Sequence, residues 1–494
     1  MTISFKNIPQ NLRLPLFYAE VNNSQANTGQ VTSRAIVIGQ MLSSATAAAN
    51  VPVISGGPTN AIAQYGAGSM LAAMVAAYRA ADPFGELWEL PLSDNGAGTV
   101  ATGTLTITAV PTVNGTFNLY IGGTLVQVAV TTAMTTVTQV AAAIVAACTA
   151  TPNLPVSAAN AAGVITFTSL HKGLSQNDID IRVNYRGTAG GEFTPAGLTY
   201  TLAAMSGGTA NPTLTTALGN LGTKRYDVII NPYTDSTSLA AVTAYLNDST
   251  GTWSCNDQLY GHAWTALRGT FANLVTAGNA MNDQHTSILG FYDSPTTCWQ
   301  IAADFAATAA VSLLADPALP LHTLALSTML NPPIASRFTP TMRNTLLYDG
   351  ISTFTVDDAG VIRLEGTITT YQKNAFGQLD NSYLQINTMY NLASVLTQLN
   401  IAITSNFSQV KLAADGTKFA DGSNIVTPST IKAFLIAQYQ EMEYNGQVQN
   451  SAAFAQGLIV QQNAQNPNRV DVLWDGILID QLDILALLAQ FRLK

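Results

Sequence analysis

The chain is 494 residues long, with 10% charged residues, 47% hydrophobic residues and a formal net charge of -9. The charged share is well below the ~25% of ordinary domains, yet the apolar share and low charge per residue exclude a disordered chain. No run of Lys and Arg is present, which argues against a phosphate-gripping nucleic-acid binder.

At roughly 100–200 residues per domain, the length implies about three domains. Residues 1–29 read as an arm. Ile3, Phe5, Ile8, Leu12, Leu14 and Leu16 are apolar, but Pro9 and Pro15 interrupt them, so the segment has to dock on its own body or on a neighbour. The opening lacks a basic stretch followed by an apolar core, so no secretory signal is expected. Ordered structure is expected from Ser33. Residues 34–39 (RAIVIG) form a short strand, 59–81 a helix with Ile62, Tyr65, Met70, Met74 and Tyr78 near a 3.6-residue period, and 88–92 a strand.

Residues 95–212 are Gly/Thr-rich and form an inserted β-rich α+β module, expected as a peripheral decoration. Strands are predicted at 103–110, 116–121, 124–131, 163–169, 178–184 and 198–204. Gly122-Gly123 marks a hairpin, and Thr135-Thr136 caps a helix over 136–149. Residues 226–231, 258–267 and 286–292 read as strands alternating with helices at 236–247, 270–282 and 296–315. That alternation means βαβ units around a parallel sheet. The longest apolar stretch, 301–315, contains Asp304 and is shorter than the roughly 20 residues of a spanning helix, so no membrane segment is expected. Farther on come a helix over 339–348, a hairpin of 350–356 and 361–371 around Asp357-Asp358, helices at 383–406 and from Pro428 to Tyr444, and strands at 453–462 and 469–480. The end, QLDILALLAQFRLK, is more apolar than an exposed tail should be. It reads either as a last element packed on its own domain or as a strand that adds to a neighbour's sheet edge.

Candidate chemistry is sparse. Three dispersed cysteines, Cys148, Cys255 and Cys298, indicate neither a disulfide framework nor a zinc site. The four histidines have no metal-motif spacing, and no metal or cofactor is expected. Gly66/Gly68 and Gly96/Gly98 read as turns, because neither pair carries the lysine or third glycine of a phosphate loop. Asp227, His262 and Ser327 stand in an Asp…His…Ser order, so a serine-hydrolase reading is the alternative. Against it, no nucleophile turn surrounds Ser327, and His262 lies mid-strand.

Four stretches carry a family resemblance: ISFKNIPQNLRLPLFYAEVNNSQA, SRAIVIGQ, TTYQKNAFGQLDNSYLQINTMYNLASVLTQL and RVDVLWDGILIDQLDILALLAQFRL. In order and over nearly the whole chain, they resemble contractile phage tail sheath proteins of the Mu type. The resemblance implies a structural, non-enzymatic protein: stacked hexameric rings around a tail tube, contraction, and contacts with tube, baseplate and tail terminator proteins. It implies a virion location after assembly in the host bacterial cytoplasm; another self-assembling virion component is a further alternative. It also implies five parts: a linking arm over 1–29, the start of the core over 30–94, the insertion over 95–212, an α/β region of subtilisin-like fold over 213–370, and an α+β C-terminal body over 371–494 ending in a second arm from 469. The arms would add strands to a sheet near 458–462 of other subunits through Ile3 to Leu16 at one end and Val470, Val472, Leu482, Leu485, Leu488, Phe491 and Leu493 at the other. Lys432, Glu441 and Glu443, on the helix that Pro428 opens, are candidates for facing the tube.

Overall fold

The computed structural model describes residues 33–420 and 422–493. The six apolar positions of the N-terminal arm lie outside the described residues.

The sequence RAIVIGQ has no polar alternation, as a strand covered on both faces requires, and Arg34–Gln40 sits inside a six-stranded sheet. The strand order is Thr286–Phe291, His262–Arg268, Val228–Ile230, Arg34–Gln40, Glu86–Leu92 and Val53–Ile54. The first five strands are parallel, and the short last one is antiparallel to its neighbour. The expected alternation of strands and crossover helices is therefore present: Ser236–Leu246, Phe271–Asn279 and Cys298–Ala315 follow successive strands. Cys298–Ala315 packs on Met70–Ala81 and on the His262–Arg268 strand. By length and composition it is apolar enough to cross a membrane, but 67% of it is buried inside the protein.

Residues 59–81 are not one helix. Pro58–Tyr65 and Met70–Ala81 are separated at Gly66 (φ 93°) and Gly68 (φ 81°), and the Ser69 side chain accepts from Ala72 N–H to start the second. A Cβ on Gly68 would run into the Leu154 carbonyl, so the break is set by a neighbour from the inserted segment. The 3.6-residue pattern continues across it and hides it.

Residues 95–212 carry a four-stranded antiparallel sheet (Thr199–Ser206, Val100–Ala109, Val164–Lys172, Val156–Ala161) and a three-stranded one (Thr124–Val130, Gly115–Ile121, Ile181–Val183). The Gly122-Gly123 turn takes φ 55° and 84°, as the hairpin signature requires. The Val137–Ala150 helix opens on a capping box between Thr136 and Gln139. Val156–Ala161 is an additional strand, missed because Ala, Ser and Asn are poor strand formers. Of the expected 178–184 strand, Ile181–Val183 is a strand and Asp178 is the last residue of the 3-10 turn Leu174–Asp178. The segment is not a self-contained module, because its apolar residues share one core with the parallel sheet. It docks where the parallel strands end. Gln40 Nε2 donates to Asp94 Oδ1 and to the Lys172 carbonyl, both at 2.7 Å. Arg182 pairs with Asp180 and Asp293, and Tyr185 donates to the Asn331 carbonyl.

The C-terminal part has its own core. Val395 of the long helix Ile386–Phe407 meets Leu435, Tyr439 and Met442 of Pro428–Tyr444, together with Val448, Phe454 and Leu458. The Tyr439 and Phe454 rings stack at 3.8 Å. The hairpin Thr353–Val356/Ile362–Gly366 turns at Asp357-Asp358 as expected. Two strand expectations are corrected. Residues 453–462 divide into the helix Ser451–Gly457 and the strand Ile459–Gln462, because SAAFAQ suits a helix that drives Phe454 into the core. Residues 469–480 divide into Val470–Leu473 and Ile477–Leu478, because Trp474 turns inward toward Tyr439 and Phe454.

Candidate functional site

The Asp…His…Ser order does not become a triad. Asp227 is buried and accepts from Arg34 N–H at 2.9 Å and Arg225 Nε at 2.7 Å. His262 Nε2 pairs instead with Ser287 Oγ at 2.7 Å, inside the sheet. Ser327 is tied through its backbone to Asp304, whose carboxylate also accepts from Thr328 and Met329 N–H. Burial pushes the Asp227 and Asp304 carboxyls up and the His262 imidazole well below its ordinary value. His262 and Ser287 are both buried within the sheet.

The remaining polar motifs are also committed to structure. His171 accepts Met70 N–H on Nε2 and donates from Nδ1 to Asp94, bracing the inserted segment. The Asp357 carboxylate closes its own turn onto Val361 N–H and Arg363. Among the described residues, no group of three His, Cys, Asp or Glu could hold a metal.

A seam that sequence reading missed joins the amino ends of the parallel strands to the C-terminal body. Arg225 spans from Asp227 to Thr397 Oγ1 (2.7 Å), and Tyr390 donates to the Asp227 carbonyl (2.8 Å) while accepting from Trp264 Nε1 (3.0 Å). Ser33 lines a cavity of about 240 Å³ at this seam. No local pattern marks the seam, since Thr397 lies 172 residues from Arg225, and the two partners of Tyr390 lie 163 and 126 residues from it.

The expected connector residues fall into two groups. Val470 and Val472 lie on Val470–Leu473, which pairs antiparallel with Ile459–Gln462 of the same chain. Leu482, Leu485, Leu488, Phe491 and Leu493 lie on residues 481–493, which have no regular secondary structure. Together with Ile484 and Leu487 they are 71–89% exposed. The tube-facing candidates are not equivalent. Glu441 is exposed, whereas Glu443 accepts Ser451 N–H at 2.9 Å at the start of the next helix. Lys432 and Glu443 flank the buried stripe of Leu435, Tyr439 and Met442, and at 100° per residue Glu441 points away from both.

Over 495 aligned residues the chain is 38% identical to the Mu-like prophage FluMu tail sheath protein of Haemophilus influenzae, covering 100% of both chains. Residues 207–370 match the phage tail sheath protein central domain. The chain belongs to the phage tail sheath protein family. It is a structural subunit of a contractile phage tail. The sheath subunit is also similar to the solved sheath tail proteins of Desulfitobacterium hafniense (16% identity, TM-score 0.47, 95% of this chain and 97% of that one) and Listeria innocua (13%, 0.47, 91% and 92%). Another likeness is the anti-feeding prophage helical sheath in its contracted state (9%, 0.47, 98% and 100%). In a sheath subunit, the exposed apolar end and the side chains of Phe84, Tyr348, Phe376 and Leu379 are surface that assembly can cover.

Proposed function

We propose that the subunits polymerise as stacked hexameric rings around a tail tube and contract to drive the tube through a host envelope during genome delivery. The observation that carries the connector part of this reading is residues 481–493, where seven large apolar side chains are 71–89% exposed. An extended segment of that kind gains by adding a strand to a neighbour's sheet, where backbone bonds give affinity and alternate side chains give register. The Ile459–Gln462/Val470–Leu473 hairpin is a two-stranded sheet whose outer edges are unpaired among the described residues, so it is the acceptor we favour. Residues 1–29 would be the second connector. Val470 and Val472 then belong to the accepting hairpin, and the C-terminal connector starts near residue 481.

In the same reading, residues 30–94 and 213–370 form an α/β core of subtilisin-like fold without protease activity, 95–212 are the insertion and 371–494 the C-terminal sheath body. Other copies of the chain, the tail tube, the baseplate and the tail terminator are its partners, assembly occurs in the host bacterial cytoplasm, and Lys432, Glu441 and Glu443 are the tube-facing candidates. Negative-stain microscopy of the full chain should show striated tubes or rings. Removing residues 484–494 should leave a folded monomer and no tubes; tubes from the truncated chain would overturn the connector assignment. A fluorophosphonate probe should leave the protein unlabelled.

A further inference from the structure

The turn that leads into Glu86–Leu92 holds a large apolar side chain out rather than in. Phe84 is 96% exposed, and Pro83 beside it is exposed as well. The backbone beneath them is fixed. Asp82 is buried; its Oδ1 accepts Phe84 N–H at 3.3 Å and Gly85 N–H at 2.8 Å, and its Oδ2 accepts the Tyr78 hydroxyl at 3.1 Å. Arg79 Nη1 donates to the Asp82 carbonyl at 3.2 Å and to the Gly85 carbonyl at 2.8 Å, closing the turn from both ends. A Cβ on Gly85 would run into the Asp82 carboxylate, so a side chain there would break the bracing. Tyr78 and Arg79 stand at the end of the helix Met70–Ala81, which anchors the turn on the main core. Phe376 is almost as exposed, but its bracing comes from Asn374 within its own turn and not from the core.

A free tip of this kind gains by folding back onto its own surface, because apolar area then leaves water. The braced backbone holds Phe84 away from that. Its ring is therefore positioned in advance and loses little freedom on meeting a partner, which is the property of aromatic anchors at the centre of protein interfaces. A surface that suits such an anchor is present on the same chain. The helices Ser236–Leu246 and Phe271–Asn279 leave between them a cleft of about 520 Å³, with Leu239 and Ala244 on one side, Ala277 and Met281 on the other, and Leu267 and Ile288 of the sheet beneath. That volume lies within the roughly 300–1,000 Å³ of pockets that bury a small ligand. The one carboxylate at the cleft, Asp283, is already engaged: it accepts from the Thr243 and Thr286 hydroxyls and from His285 N–H. By contrast, Arg225 and Asp227 line the seam cavity, and Gln372, Asp380 and Asn381 line the cleft beside Tyr348.

We propose that the Pro83-Phe84 tip of one copy seats in the cleft between Ser236–Leu246 and Phe271–Asn279 of a second copy. The topology excludes the same contact within one chain. The tip leads into the fifth strand of the sheet and the cleft lies over the first two, so at least three strand spacings, roughly 14 Å, separate them. Right-handed crossovers that run in opposite directions along the sheet also put Met70–Ala81 and the two cleft helices on opposite faces. The contact is heterologous: the tip of one copy meets a different surface of the next. A contact of that type builds rings or helical stacks rather than closed pairs. Which of these it builds rests on the assembly reading above; the contact itself does not.

The test uses the full chain. Copies carrying Phe84→p-benzoylphenylalanine, a photoreactive aromatic that keeps the ring, are mixed with 15N-labelled copies and irradiated over a concentration series. Tubes and unassembled subunits are separated by sedimentation before digestion. Cross-linked peptides should join the unlabelled tip to labelled residues 239–244 or 277–283, Met281 above all. Labelled copies with Ala244→Trp or, if that copy does not fold, Ala240→Trp have the cleft filled from an exposed position. They should lower the yield of those peptides about tenfold or more. Phe84→Ser should leave the melting temperature of the dilute monomer within about 2 °C of wild type, because the ring it removes touches solvent. Cross-links confined to one copy, cross-links only elsewhere on the labelled copy, none at the highest soluble concentration, a yield unmoved by the filled cleft, or a larger fall in melting temperature would each overturn the contact. Cleft cross-links in subunits that make no tubes would support the contact and count only against the assembly reading. Tubes without cleft cross-links would overturn the contact and leave that reading standing.

Discussion

Buried polar side chains in this subunit join segments that are distant in the sequence. His262 is the sharpest case. It is 1% exposed, bonds Ser287 on one nitrogen and packs against the rings of Trp264 and Tyr390. Burial disfavours its charged form, so the folded chain keeps it neutral while the unfolded chain takes up a proton below about pH 6.5. Its folded pKa is therefore depressed below the unfolded one. Its contribution to stability is present above pH 6.5 and is lost as pH falls, approaching about 1.4 kcal/mol per pH unit. In urea titrations at pH 7.5 and pH 5.5, the stability gap between wild type and His262→Asn should narrow by about 1 kcal/mol at the lower pH. Parallel losses in the two proteins would mean that His262 is not held neutral. The sequence displayed the residue types here but not their pairing, because Ser287 and Tyr390 reach His262 only through strand order and helix docking.

Elements were legible where a local rule and the tertiary environment agree. RAIVIGQ is apolar on both faces and is a central strand. Thr136 with Gln139 satisfies the free N–H groups of a helix start without outside help. Gly122-Gly123 supplies the positive φ values of a tight hairpin. Legibility failed where a distant segment sets a boundary. The Gly66–Gly68 break exists because residues 66–69 turn under Leu154 and Leu170. Gly68→Val adds strain at φ 81° and a clash with backbone, so it should cost about 2–4 kcal/mol and lower the melting temperature. A neutral result would show that the inserted segment does not press on this turn. Ser451–Gly457 failed for a related reason: its one large apolar residue, Phe454, finds its stacking partner Tyr439 from another helix.

At the scale of the whole molecule, the inserted segment closes the carboxyl ends of the parallel strands and the C-terminal body covers their amino ends. The α/β sheet is thus held from both sides. A chain with only 10% charged residues has few ions to strand, so its surface can be buried repeatedly against copies of itself in dry interfaces. Assembly driven by apolar and backbone contacts should respond weakly to salt: tube yield should change less than about twofold between roughly 0.05 and 0.5 M NaCl, because screening acts on charges. A steep fall, read by sedimentation, would place charged pairs at the centre of the interface.

The sequence alone determined the family, the parallel α/β core, the poverty of charge and the surplus of apolar residues at the C-terminal end, because each is a property of composition or of pattern within a few dozen residues. The tertiary structure decided that Asp227, His262 and Ser327 stay apart and that the insertion shares the main core. It also decided that Val470 and Val472 pair inside their own chain, and that Asp483 meets His322 across 161 residues. These outcomes depend on which distant segments come to lie side by side, a geometry that no local spacing encodes.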